Sequence, residues 1–318
     1  MKPSISRMTQ VWSGSRLQVA VLCALLVGAW ALPSGCDQKK RNESIQLTNH
    51  GLNALADGDT ETAYSMFRRA TRVDPKNHRA LYELALVDIY DNEERQRGMA
   101  SLEAAEKIQP EDRDVLYQLG RNYIENDEVD RGLRYLERTL VLDKFYAPAL
   151  YQRGVGLLKK DDFDGADAAF RGAIAANHEY ASAYRDLGEM YERFGHDAAA
   201  RTVYEAGATH AEGTSDLHNS LGLLAMRSGE VDKAIDYFSS ARSSGGRTDT
   251  AFNLANAYVE KGDIRQAYRY LGEFVNSADP SQKESIQVAM RLRASMMDRM
   301  NAEKDREQDK PNDTPDAP

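Results

Sequence analysis

A small residue recurs along the chain at intervals of 34, 35, 34, 34, 34 and 33, as Gly51, Ala85, Gly120, Gly154, Gly188, Gly222 and Ala255. A second small column follows twelve or thirteen residues later, at Ala63, Gly98, Gly132, Ala166, Ala200, Ala234 and Ala267. Four residues beyond each of these stands a bulky one: Phe67, Leu102, Leu136, Phe170, Tyr204, Phe238 and Leu271. Self-similarity at a fixed period of this length marks stacked structural repeats, each too small to bury its own apolar face alone.

Helix geometry explains the columns. Small residues let two antiparallel helices approach closely, and a bulky residue four positions on stands over the same face. Between the halves of each unit lies a residue that tolerates left-handed backbone: Gly58, Asn92, Asp127, Asp161, Gly195, Gly229 and Gly262. Such residues stop a helix. Pro75 and Pro110 punctuate the passage from the first two units into the next. Each unit therefore reads as helix, turn, helix, and only nine prolines in 318 residues fits a largely helical chain.

These columns resemble the tetratricopeptide repeat (TPR), whose period and small-large-small pattern they share. The resemblance implies an all-α, right-handed superhelical solenoid of about seven units over residues 44–278. His218 and Ala251 depart from it, standing where a bulky apolar residue is usual, and Phe274 replaces a small one. A capping helix is expected over 279–300. Asp279-Pro280-Ser281-Gln282 reads as its N-cap, first-turn proline and capping partner, and Ile286, Ala289, Met290 and Met297 as its apolar stripe. Residues 301–318 are charged, rich in proline and free of aromatics, which predicts a disordered tail.

The N-terminus reads as a targeting segment. Lys2, Arg7 and Arg16 precede an apolar run from Val19 to Leu32, and Pro33-Ser34-Gly35-Cys36 follows. This arrangement resembles a bacterial lipoprotein signal covering residues 1–35, which implies acylation of Cys36 and a short tether over 36–43. Pro33 stands where that family prefers leucine, and Lys39, Lys40 and Arg41 weaken the charge asymmetry, so an uncleaved signal-anchor stays open as the alternative. Either reading places the body in the cell envelope, facing the periplasm, on the inner or the outer membrane. With Cys23 inside the apolar run and Cys36 the only other cysteine, no internal disulfide is available to the body.

Loss of residues 1–35 removes three positive charges from a chain of net charge −9 and leaves −12. A body so acidic argues against non-specific binding to nucleic acid or anionic lipid. No cofactor or metal is expected. The six histidines are dispersed, and none forms a zinc-spaced pair with another His or Cys. Asp161-Asp162-Phe163-Asp164-Gly165 invites a calcium reading that fails on spacing, because the loop would begin at Lys160 and end at Arg171. The glycines follow the repeat period, and none forms a phosphate loop.

With no active site in view, the expected function is non-enzymatic protein binding. In TPR arrays the first helix of each unit lines a concave groove. The resemblance places Tyr82, Tyr117, Tyr151, Arg185, Asn219 and Phe252 there, one residue after the large apolar column. Arg121, Glu189 and Asn256 belong to a second column four places on. Tyrosine rings offer area and a hydroxyl handle to an extended or helical peptide. The first column contains no lysine, which argues against the carboxylate clamp of chaperone adaptors. An acylated cysteine followed by TPR units is also the plan of secretin-assembly lipoproteins, the pilotins of type IV pili. The leading expectation is thus a lipid-anchored scaffold for an unknown envelope protein or peptide. A recruiter of cell-wall enzymes, or an enzyme with a groove-borne site involving carboxylates such as Glu189, are the alternatives.

Overall fold

The computed structural model describes residues 35–90, 94–211, 213–246 and 248–308. The expected signal segment up to residue 34 and the turn residue Asn92 lie outside them. Fifteen helices and no strand occur among the described residues. The chain divides into two compact units, Met1–Val115 and Leu116–Pro318.

The first unit holds two helix hairpins, α1 (Gly35–Ala56) with α2 (Thr60–Val73) and α3 (His78–Tyr90) with α4 (Arg95–Ile108). It also holds the start of α5 (Arg113–Glu125). The second unit continues with α6 (Val129–Leu142), then pairs α7 (Ala147–Lys159) with α8 (Phe163–Ala176) and α9 (Ala181–Arg193) with α10 (Asp197–His210). Two further hairpins follow, α11 (Ser215–Arg227) with α12 (Val231–Ser243) and α13 (Thr248–Lys261) with α14 (Ile264–Ser277). A single long helix, α15 (Lys283–Gln308), ends the array. Seven pairs and a terminal helix are what the period implied.

The six hairpin turns among the described residues use the residue type their backbone requires. Gly58, Gly195, Gly229 and Gly262 have φ between 73° and 82°, and Asp127 and Asp161 take φ 64° and 58°. The chain re-enters a helix at once. Asp59, Asp162 and Asp263 accept from the backbone N–H three residues on and so cap α2, α8 and α14. Asp161 and Asp162 thus act as turn and cap.

The small and large columns meet across each hairpin. A Cβ on Gly154 would fall 2.7 Å from two ring atoms of the fully buried Phe170, and one on Gly51 would fall 2.5 Å from Phe67. Gly188 and Gly222 face the rings of Tyr204 and Phe238 in the same way. Where the bulky partner column holds Leu271, the small residue is Ala255, in the same buried cluster. The two departures near the end compensate one another, since the small Ala251 and the large Phe274 share that cluster.

Successive hairpins of the second unit are also tied by charge. Lys159 donates to the Ile124 carbonyl (2.9 Å) and Asp127 (2.6 Å), Lys160 reaches Asp130 (2.7 Å), and Lys261 reaches Asp232 (2.8 Å). Each is a cation at or just past the end of one hairpin's first helix, meeting an acid of the preceding hairpin. Being largely exposed, such pairs contribute ~0–1 kcal/mol each.

At the N-terminal end residues 36–43, expected as a tether, are helical as part of α1, and Cys36 is exposed. At the other end Asp279 closes a turn, accepting from Ser281 N (2.8 Å), and α15 starts only at Lys283. Its inward face is Ile286, Ala289, Arg293, Met296 and Met300, whereas the expected Met290 and Met297 are about half exposed. Both sets follow one helix face, and the observed face is rotated towards Ala289, Arg293 and Met296, which leaves Met290 and Met297 at its edge. Arg293 lies over the Tyr268 ring at 4.5 Å and fills the space left by Gly272. The helix continues to Gln308, so residues 301–308 are helical, and 309–318 lie outside the described residues.

Candidate binding face of the second unit

The first helices of the hairpins place the expected groove residues at equivalent positions. Within the second unit Tyr117 and Tyr151 are half-buried and belong to a larger aromatic group. Tyr117 meets Tyr146 edge to face at 5.4 Å, and Tyr151 meets Tyr180 in the same manner at 5.2 Å. Tyr151 also leans on Phe170 at 5.8 Å, so the ring is fixed from beneath. Edge-to-face pairs of this kind are worth ~0.5–1.5 kcal/mol beyond area burial.

The hydroxyls are poised as donors. Tyr151 Oη donates to Asp186 Oδ2 at 2.6 Å. Burial, then this hydrogen bond, pushes the Tyr151 phenol above its ordinary range; burial and the nearby Tyr180 do the same for Tyr117. Both remain protonated at neutral pH.

Asp186 passes the network on. Arg185 donates to it from Nε (2.9 Å) and lies 3.8 Å from Glu189 and 3.9 Å from Asp216. Arg185, Glu189, Asp216, Asn219, Leu223 and Asp249, with Ser220 and Thr250, line a cavity of about 350 Å³ bounded by α9, α11 and α13. Asn219 accepts from Asn253 Nδ2 at 2.9 Å, which orients its amide. Aromatic shelf, Asp186–Arg185 pair and cavity follow one another on successive first helices, so Tyr117, Tyr151, Arg185 and Asn219 belong to one face.

Of the other expected residues, Arg121 borders the shelf, its charge acting on Tyr117 and Tyr180, and the rest lie elsewhere. Tyr82 lies in the first unit, half-buried, with the Arg79 guanidinium 5.6 Å from its ring centre. Arg121 donates to Glu125 at 2.7 Å. Phe252 tilts against Phe274 at 5.2 Å and packs on the core of the last hairpins. Asn256 is half-buried on α13.

Sequence reasoning passed over Tyr146 and Tyr180, the N-cap residues of α7 and α9. A signal existed, since they stand 34 apart at one repeat position. Asp186, Asp216 and Asp249 gave no such signal, being three of fifty acidic residues. No group of three His, Cys, Asp or Glu among the described residues could hold a metal ion.

A profile of the tetratricopeptide repeat family matches residues 48–87, 151–213 and 198–247. With seven hairpins of the expected period among the described residues, the chain has the fold of stacked tetratricopeptide repeats. A TPR protein from Parabacteroides merdae superposes on it with a TM-score of 0.58 at 14% identity, covering 78% of this chain and 99% of that one. PilF of Pseudomonas aeruginosa gives a TM-score of 0.55 at 20% identity, covering 70% and 99%. Yeast Tom70 gives 0.61 at 14% identity, covering 88% and 59%. At these identities the likeness is one of fold. No curated protein matches the sequence. The fold supports a protein–protein interaction scaffold.

Proposed function

We propose that this protein is a non-enzymatic scaffold of the bacterial cell envelope, acylated at Cys36, that holds a segment of a partner protein against the face bearing Tyr117, Tyr151, Arg185 and Asn219. The observation that carries the binding reading is the continuity of that face, from a half-buried aromatic shelf to a polar cavity on successive helices. An extended peptide takes area from the rings and hydrogen bonds from the hydroxyls and amides.

Tethering rests on Cys36, the thiol at the exposed start of α1 directly after the apolar leader. No described helix is long and apolar enough to cross a membrane. Two or more acyl chains on that cysteine give a stable anchor where one gives only marginal attachment.

The test is an in-cell crosslinking pull-down of the tagged native chain beside a Tyr117→Ala, Tyr151→Ala variant confirmed to be helical. Recovery of one envelope protein by the native chain and its loss in the variant supports the reading. Equal recovery from both removes the tyrosine face from the binding site.

A further inference from the structure

We infer that α15 carries a second binding surface, which takes the α15 of a second copy of this chain in an antiparallel, two-fold pair. The repeat columns motivate the assignment. Val288 stands 34 residues after Leu254 and Leu292 34 residues after Tyr258, so α15 continues the apolar columns of the first helices. In five hairpins the residue before the small column is a leucine, and Leu84, Leu119, Leu187, Leu221 and Leu254 are at most 8% exposed. Leu187, for example, shares a buried cluster with Ala166 and Phe170 of the preceding hairpin. Val288 is 45% exposed and Leu292 39%.

The helix is turned about its own axis. Arg293 lies over Tyr268 and fills the space beside Gly272, while Ala289 and Met296 sink into the cluster of Leu271 and Phe274. That rotation brings Val288 and Leu292 out of the core. A terminal helix that only closes an array presents a polar outer side. Here Glu284, Val288, Leu292, Ser295 and Arg299, spaced by four, four, three and four, are all exposed. Such spacing keeps the five side chains on one side of the helix over about 22 Å.

A second copy fits this row because the row is complementary to itself. In an antiparallel pair centred between 291 and 292, Glu284 of one copy meets Arg299 of the other, and the two-fold axis repeats that contact. Val288 meets Ser295, whose small side chain lets the helices approach, and Leu292 packs between Val288 and Ser295 of the other copy. Neither Glu284 nor Arg299 forms an ion pair among the described residues, so both charges are available to a partner. Arg291 flanks the seam and keeps its charge in water. A closed two-fold contact requires this reciprocity, residue i meeting j and j meeting i. So short a seam makes a transient pair, which covalent trapping reads.

The full chain carrying Cys23→Ser and Cys36→Ser is purified in detergent, which leaves introduced cysteines as its only thiols. Val288→Cys and Ser295→Cys, each with a different tag, are mixed and mildly oxidised, and mixed dimer is read on a non-reducing gel. The expected yield is about tenfold above that of Val288→Cys with Glu137→Cys, since a disulfide demands close, facing Cβ atoms. Glu284→Arg in both partners, or Arg299→Glu in both, sets like charges opposite one another and should lower the yield about tenfold. The two changes together should restore it to within about twofold. Circular dichroism confirms that each variant is folded.

Linking of Val288→Cys to Ser295→Cys no greater than to Glu137→Cys overturns the inference, and so does failure of the double reversal to restore the yield. In host envelopes, Val288→Cys trapped on a different protein and not on Ser295→Cys assigns the row to that protein and also overturns it.

Discussion

One chemical change at two glycines of a single hairpin should shift stability in opposite directions. Glycine to alanine inside a helix normally stabilises by ~0.8–1.0 kcal/mol, because alanine loses less backbone entropy. At Gly172 in α8 a new Cβ meets only Leu150, at 3.7 Å, an ordinary contact, so Gly172→Ala should realise most of that gain. At Gly154 in α7 the Cβ falls 2.7 Å from Phe170 Cδ1 and Cε1 and 3.0 Å from Cζ. Carbon pairs prefer about 3.5–4.0 Å, so helix and ring must separate by roughly 1 Å. Phe170 is fully buried and has no open space to enter. Overpacking of this kind costs ~1–3 kcal/mol, which exceeds the propensity gain. Gly154→Ala should therefore destabilise by about 1–2 kcal/mol, some 2–3 kcal/mol below Gly172→Ala. Adding Phe170→Leu should restore part of the loss, imitating the Ala255–Leu271 combination in the last hairpin. Urea titration followed by far-UV circular dichroism reports the order of midpoints. Hydrogen exchange in α7 and α8 localises the effect, which matters because repeat arrays lose cooperativity between units. If Gly154→Ala raises the midpoint as Gly172→Ala does, the small column reflects propensity and the packing argument is wrong.

Other expectations follow from buried charge and from the N-terminus. Asp88 is 1% exposed and held by two hydrogen bonds from Arg97, so Arg97→Ala leaves a buried, unpaired carboxylate and should lower stability by about 3–5 kcal/mol in the same titration. Burial raises the Glu83 carboxyl above its ordinary value of 4.5, with Arg79 opposing. A raised folded pKa gives stability that is complete below the unfolded value and lost as pH rises through the folded one. The stability of Glu83→Gln relative to the native chain should thus rise with pH above about 4.5, and a constant difference in urea midpoint from pH 4 to 7 would contradict this. Metabolic labelling with an alkynyl fatty acid should mark the native chain and not Cys36→Ser; equal labelling of the two would exclude the tether.

The architecture was legible because it is written redundantly. Two small columns, one large column and a left-handed turn residue recur in register, and every hairpin whose turn lies among the described residues has that residue at positive φ. What escaped was local detail without a period. The start of α15 moved from Pro280 to Lys283 because Asp279 bonds Ser281 and makes a separate turn. The inward face of that helix is fixed by its neighbour, where Gly272 leaves room for Arg293, a residue whose charge hides its packing role. Helix also extends past Asn301, where composition pointed to disorder but long helix-forming side chains continue the last turns.

The binding face divides in the same way. Tyr117, Tyr151, Arg185 and Asn219 follow from one repeat position, and the structure sets them on one face. Phe252 shares that position yet packs against Phe274, because the swap of Ala251 and Phe274 redirects the core there. Tyr146 and Tyr180 join the shelf from helix N-caps, outside the column that the resemblance identified. The acidic lining of the cavity depends on which of many carboxylates three helices bring together, which no spacing rule encodes.

Site-specific photo-crosslinking in the native host is the most direct test of partner capture by this face. A benzoylphenylalanine at Tyr151 is compared with one at Glu137, an exposed position on α6. The account predicts a discrete crosslinked partner from position 151 and none from position 137. A partner captured from position 137 alone, or equally from both, would contradict it.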